Sequence, residues 1–185
     1  IIASAGDIDR PVFPRSAIKS MQALAMVTSG AIDRFKLTDE ELALACASHG
    51  GEPQHVQAAA SMLAKAGVDD RALECGTHWP YHDGSIKALA AAGAEPGPLH
   101  NNCSGKHAGF LTVTRHLKAG PEYIEIDHPL QVAIRAATEE TTGETIAGWG
   151  VDGCSAPNFA MTVEGLARAM ATYATARDGH GARES

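Results

Sequence analysis

Arg15-Ser16-Ala17-Ile18-Lys19 sets a serine three positions ahead of a lysine. On a helix, residues three apart share a face, so the hydroxyl and the amine can meet. A neutral lysine can take the serine proton and leave an alkoxide-like nucleophile, the opening step of many amide hydrolyses. Lysine ordinarily keeps its proton at neutral pH, so burial or nearby positive charge must depress its pKa. A helix N-terminus helps, because its partial positive charge favours both the alkoxide and the neutral amine. Ten serines and six lysines give roughly 0.3 such pairs by chance, so the pair gains meaning only from its surroundings.

The 185 residues suit a single domain with a sizeable core. Aromatic residues make up only 5%, so Ala, Leu, Ile and Val must fill that core. A net charge of -7 with no basic stretch argues against nucleic acid. No apolar run reaches membrane-spanning length, and the first residues lack the blocks of a signal peptide. Four widely spaced cysteines, Cys46, Cys75, Cys103 and Cys154, suit a reduced cytoplasmic setting better than a disulfide scaffold.

Ile1-Ile2-Ala3-Ser4-Ala5 reads as the tail of a strand, and the polar run from Arg177 follows the last helix, which together suggest a piece of a longer enzyme. Asp9 to Pro14 must be extended because of its prolines. A helix is expected from Arg15 or Ser16 to Gly30, with Met21, Leu24, Ala25 and Val27 as its apolar stripe. Thr38 and Glu41 form a capping box. Further helices are expected over 53–67 and 85–92, to about Leu117 after a loop over Asn101–His107, from Pro129, and over 163–176, with a strand from Ile146 to Val151 and a turn from Asp152 to Pro157. The chain is helix-rich, and much of any central sheet must come from residues it does not contain.

Three segments change the reading. Phe13-Pro14-Arg15-Ser16-Ala17-Ile18-Lys19, Ala47-Ser48-His49-Gly50-Gly51-Glu52 and Asn101-Asn102-Cys103-Ser104-Gly105-Lys106-His107 resemble the asparaginase II family of rhizobial-type L-asparaginases. The segments Cys75–Pro80 and Trp149–Pro157 also look like family signatures, so the resemblance spans nearly the whole chain. It implies an α/β fold like that of serine β-lactamases and penicillin-binding proteins, hydrolysis of L-asparagine to L-aspartate and ammonia, and a homodimer. It also implies that Ser16, Lys19 and Ser48 match the family's catalytic serines and first lysine, a second lysine lying beyond this chain. Cys103, Lys106 and Cys154 match a zinc site. One departure is Ser20, where the family usually has proline.

Each candidate also has an ordinary structural role. Ser16 can cap a helix, Lys19 can be a solvated charge, and Ser48 can close a helix before two glycines. Arg15 can hold Lys19 neutral or bind a substrate carboxylate, although a cation at a helix start is otherwise unfavourable. His49, Glu52 and His107 can orient substrate or simply make local hydrogen bonds. Asn102 and Asp152 can contact the substrate amino group or amide, and Gly153 can bring a backbone N–H to an oxyanion. Cys103 and Cys154 can be buried thiols or a disulfide; as zinc ligands with Lys106 they leave one position open, and the lysine must lose its proton. The resulting expectation is a serine amidohydrolase beside zinc. Its rivals are a penicillin-recognising serine hydrolase, whose Ser-Asp-Asn and Lys-Thr-Gly motifs the chain does not show, and a non-catalytic zinc-binding or assembly module.

Overall fold

The computed structural model of the chain describes residues 1–176. Ser16 and Lys19 do not sit on one α-helix. Arg15–Ile18 is a 3₁₀ turn, and helix α1 runs from Lys19 to Thr28. Residues three apart eclipse in an ideal 3₁₀ turn, yet here Ser16 is exposed while the Lys19 amine is buried among Ala47, Ser48 and Asn102. Ile18, fully buried, anchors the turn to the core, and α1 buries Met21, Leu24 and Met26 behind it.

After α2 (Ala31–Phe35), α3 (Asp39–Ala45) opens on the expected capping box. Glu41 N–H donates to Thr38 Oγ1 at 3.3 Å and Thr38 N–H to Glu41 Oε2 at 2.8 Å, an arrangement typically worth about 1 kcal/mol. Lys65 on α4 (Pro53–Ala66) donates to the same carboxylate at 2.7 Å and ties the two helices together. Helix α5 (Asp83–Ala91) starts earlier than its apolar pattern indicates, because the His82 ring accepts the Ser85 N–H at 3.2 Å.

Helix α6 (Ser104–Leu117) is the axis of the fold. It is buried from Ser104 to Thr114, with α1, α3, α4 and α7 (Pro129–Thr142) against it. Two glycines make that crowding possible. A Cβ on Gly105 would stand 2.6 Å from Leu44 Cγ, and one on Gly109 would stand 2.6 Å from Met26 Sδ. The buried Thr112 and Thr114 hydroxyls are satisfied by the Gly109 and Phe110 carbonyls at 2.7 and 2.9 Å. The start of α6, which carries the Cys103-to-His107 motif, is thereby fixed by the core itself.

Among the described residues the only sheet is an antiparallel pair, β1 (Gly148–Val151) and β2 (Pro157–Ala160), with Trp149 opposite Phe159. Helix α8 (Val163–Thr175) follows and leans on α7. Two expectations need correction. Ile1–Ala5 forms no strand, because it pairs with no neighbour among the described residues, and a strand exists only through its partner. Extended pairing first appears at Val12, which bridges to Met161. Conversely, Pro157 begins a strand that its turn-like surroundings hid; proline is tolerated there as a first strand residue. The polar run from Arg177 lies outside the described residues. Among the described residues no helix is long and apolar enough to cross a membrane.

Candidate active site

A cleft of about 190 Å³ lies where the 3₁₀ turn, the β1–β2 loop and the start of α6 meet. That is below the roughly 300–1,000 Å³ of pockets for drug-sized ligands, and suits a small amino acid. Arg15, Ser16, Asn102, Asp152 and Gly153 line it, together with Cys103 and Cys154. A larger groove of about 570 Å³ between residues 1–5 and α8 contains none of the candidate residues.

Ser16 is exposed to this cleft. Ahead of it, Arg15 has φ +54°, a left-handed conformation that costs a non-glycine residue about 1–2 kcal/mol. Lys36 and Lys118 share that conformation, but they are helix C-caps, where it is ordinary. Arg15 instead opens a helix, and its guanidinium reaches Asp152 Oδ1 at 2.8 Å. With the Arg15 side chain 69% exposed, this ion pair adds at most about 1 kcal/mol to stability. Its consequence is placement: a cation and an anion stand side by side at the rim. Gly153 N–H also donates to Asp152 Oδ1, at 2.8 Å. The donor expected to face an oxyanion is therefore already engaged.

Lys19 is only 1% exposed. Its Nζ lies 2.6 Å from Ala47 O, 3.0 Å from Ser48 Oγ and 3.4 Å from Asn102 O. Its hydrogen-bond partner is thus Ser48, not Ser16. Burial lowers its pKa below the ordinary lysine value, and the Lys106 charge acts in the same direction, opposed by Cys103. In the neutral form the two N–H groups satisfy the two carbonyls. The remaining lone pair then faces the Ser48 hydroxyl. Among the described residues its hydrogen-bond partners are two carbonyls and a hydroxyl, with no carboxylate to hold its proton.

The three zinc candidates converge only through the fold. Cys103 caps α6, Lys106 lies in its first turn, and Cys154 comes from the β1–β2 loop. Both cysteines are free thiols, and Lys106 Nζ lies 3.0 Å from Cys154 Sγ. Cys103 hydrogen-bonds to Cys154, which lowers the Cys154 pKa and raises that of Cys103; burial also raises Cys103. His107 and Lys106 reinforce the thiolate at Cys154. No three His, Cys, Asp or Glu side chains form a metal set among the described residues, and the third donor here is a lysine. A thiolate, a second thiol and a buried amine nevertheless fit the donor preferences of zinc. His107, wholly buried, turns its ring toward Cys154 and marks the same corner as polar.

Other expected contacts lie outside the cleft. His107 is wholly buried, its Nδ1 is 2.8 Å from the Tyr123 hydroxyl, and burial lowers its pKa to about 4. Glu52 accepts from Gln54 at 2.9 Å at the start of α4. His49 Nδ1 accepts the Gly51 N–H at 3.2 Å, so Nε2 carries the proton and donates to Ser104 Oγ at 2.9 Å. Ser104 in turn donates to Leu99 O at 2.9 Å. His49 therefore fixes the loop that carries Ser48 and does not line the cleft. Three lining residues escaped the sequence reading: Asn101, and His78 and Tyr81, whose rings stack at 5.0 Å. His78 Nδ1–H donates to Trp79 O at 2.6 Å, leaving Nε2 to accept the Asn102 N–H at 3.0 Å. His78 had a signal in the Cys75–Pro80 segment and Asn101 in the Asn101–His107 segment, and Tyr81 had none.

Burial lowers the His49 pKa from the ordinary 6.5 to about 4. The unfolded chain therefore takes up this proton first as the pH falls. The fold's stability is complete above about pH 6.5 and falls progressively toward pH 4, by about 3 kcal/mol for this group. His49→Gln cannot titrate, and urea titrations of it between pH 6.5 and 4.5 are expected to show a slope shallower by one proton. An unchanged slope would contradict the buried neutral ring.

The L-asparaginase II family model matches residues 1–185. The chain belongs to the L-asparaginase II family. It is an L-asparaginase, a hydrolase of a small-molecule amide, and the penicillin-recognising and non-catalytic alternatives give way to that assignment. No curated protein matches the chain. In this L-asparaginase the cleft gathers Ser16 with the Arg15–Asp152 ion pair, while Lys19 and Ser48 pair with each other and do not line it.

Proposed function

We propose that the cleft hydrolyses L-asparagine by acyl transfer through Ser16. The observation that carries this reading is the exposed Ser16 hydroxyl beside the Arg15–Asp152 pair, one 3₁₀ turn from a buried lysine of lowered pKa. Arg15 binds the substrate α-carboxylate with its planar fork, and Asp152 binds the α-ammonium. Ser16 Oγ attacks the side-chain amide carbon while its proton passes to neutral Lys19 by way of the Ser48 hydroxyl that faces the amine. The C–N bond breaks, ammonia leaves with that proton, and a β-aspartyl ester remains on Ser16. Water then adds to the ester carbon, and the proton returns to Ser16. Cys103, Lys106 and Cys154 would hold zinc, which when bound supplies a Lewis-acidic point for orienting the substrate. The five sequence segments support a β-lactamase-like fold and a homodimer as parts of this reading, and the four free, widely spaced cysteines support a cytoplasmic setting.

A second reading has its own observation. Ser48, not Ser16, hydrogen-bonds Lys19, which would make Ser48 the activated hydroxyl. The cleft favours Ser16, because Ser48 does not line it.

The cysteine site gives the test of how the work is divided. Cys154→Ala should lose bound zinc and raise KM for asparagine more than it lowers kcat. Zinc content by atomic absorption, alongside steady-state ammonia release, reads both. A collapse in kcat at unchanged KM would place that site in the chemistry instead.

A further inference from the structure

The segment leading to Ser16 is tied to β2 twice, in one register. Val12 and Met161 exchange both backbone hydrogen bonds, at 2.9 and 3.1 Å. Three residues further along one strand and three back along the other, Arg15 stands opposite Asn158. Here the Asn158 side chain makes the bonds. Arg15 N–H donates to Asn158 Oδ1, and Asn158 Nδ2 donates to Arg15 O, each at 3.2 Å. A carboxamide presents the same acceptor and donor as a peptide unit. It continues the ladder at the residue where the backbone has turned left-handed and can no longer pair as a strand. Asn158 is 3% exposed, and its own backbone is held in register with Gly150 of β1.

We infer that Asn158 is a positioning residue for the nucleophile. Its amide locks the left-handed Arg15, so that the 3₁₀ turn delivers Ser16 to the cleft and the guanidinium to Asp152. A strained conformation persists only where its surroundings over-determine it. On one side of Ser16 that restraint is this amide; on the other it is fully buried Ile18. Without the amide, the Arg15 N–H and C=O lose their partners and Arg15 can relax to negative φ, which redirects the next side chain. The inference rests on reading Ser16 as the nucleophile.

The test compares Asn158→Ala and the isosteric Asn158→Asp, which keeps the acceptor and loses the donor, in the full-length enzyme. The measurements are kcat and KM for asparagine, Ser16 labelling by a fluorophosphonate, and melting temperature. Displacement of a reacting group by about 1 Å can cost on the order of 100-fold. Asn158→Ala is expected to lower kcat and the Ser16 labelling rate together by about 10- to 100-fold, with an intermediate loss for Asn158→Asp and a folded protein in each case. If Asn158→Ala does not fold, the partial, parallel loss in Asn158→Asp carries the inference. Folded variants that keep wild-type kcat or wild-type Ser16 labelling overturn it. The underlying reading fails separately, by activity retained in Ser16→Ala.

Discussion

Ser16→Ala is expected to lose at least about a thousand-fold in kcat for ammonia release from asparagine, since a nucleophile has no substitute once removed. The fold should not notice. Ser16 is exposed, and its hydroxyl holds none of the hydrogen bonds that fix the 3₁₀ turn. The turn is held by the Asn158 clamp before it and buried Ile18 after it. Melting temperature should therefore stay within a few degrees of wild type, as for most surface substitutions. Asparagine should still bind, because Arg15 and Asp152 remain paired at the rim. The signature is thus lost turnover with retained substrate affinity, read by single-turnover kinetics and by calorimetric binding of asparagine. A variant that turns over at wild-type rate removes Ser16 from the chemistry.

Lys19→Met is expected to cost a similar factor in kcat while leaving the protein as stable as wild type or more so. The two effects have one cause. An amine buried to 1% exposure among two carbonyls and a hydroxyl is poorly compensated, and Met fills nearly the same volume without the desolvation penalty. The substitution gives up hydrogen bonds worth about 1 kcal/mol each. Against that loss, Met removes the burial penalty on the amine that lowers the Lys19 pKa. Stability sacrificed for function is a common pattern at active sites. Lys19→Met combined with Ser16→Ala should be no slower than either alone, because residues acting as one unit are not additive. Thermal melts and ammonia release on the three variants measure this. A strongly destabilised Lys19→Met would mean that the lysine is a structural strut.

Much of this site could be read in the residues. The Ser16–Lys19 spacing marked a serine and a lysine that the fold sets one turn apart, although the amine turns inward to Ser48. The Thr38–Glu41 box and Pro53 set helix starts through local hydrogen bonding, which sequence records directly. What stayed hidden was long-range. Nothing near Lys19 in sequence says that its amine meets Ser48, 29 residues away. Asn158 lies 143 residues from the Arg15 it clamps. His49 and Glu52 sit beside Ser48 in the chain yet turn toward Ser104 and Gln54. His78 and Tyr81 enter the cleft on a loop with no periodicity to announce them. The strand expected at Ile1–Ala5 failed for a related reason: β-propensity names a segment fit to pair, not the partner.

The central claim is that Ser16 carries the acyl group. The most direct measurement mixes enzyme with asparagine, quenches in acid within the first turnover, and maps the proteolytic peptides by mass spectrometry. The account predicts one added aspartyl group on the peptide containing Ser16, absent from Ser16→Ala. The same adduct on the Ser48 peptide, still formed in Ser16→Ala, would contradict it and make Ser48 the nucleophile.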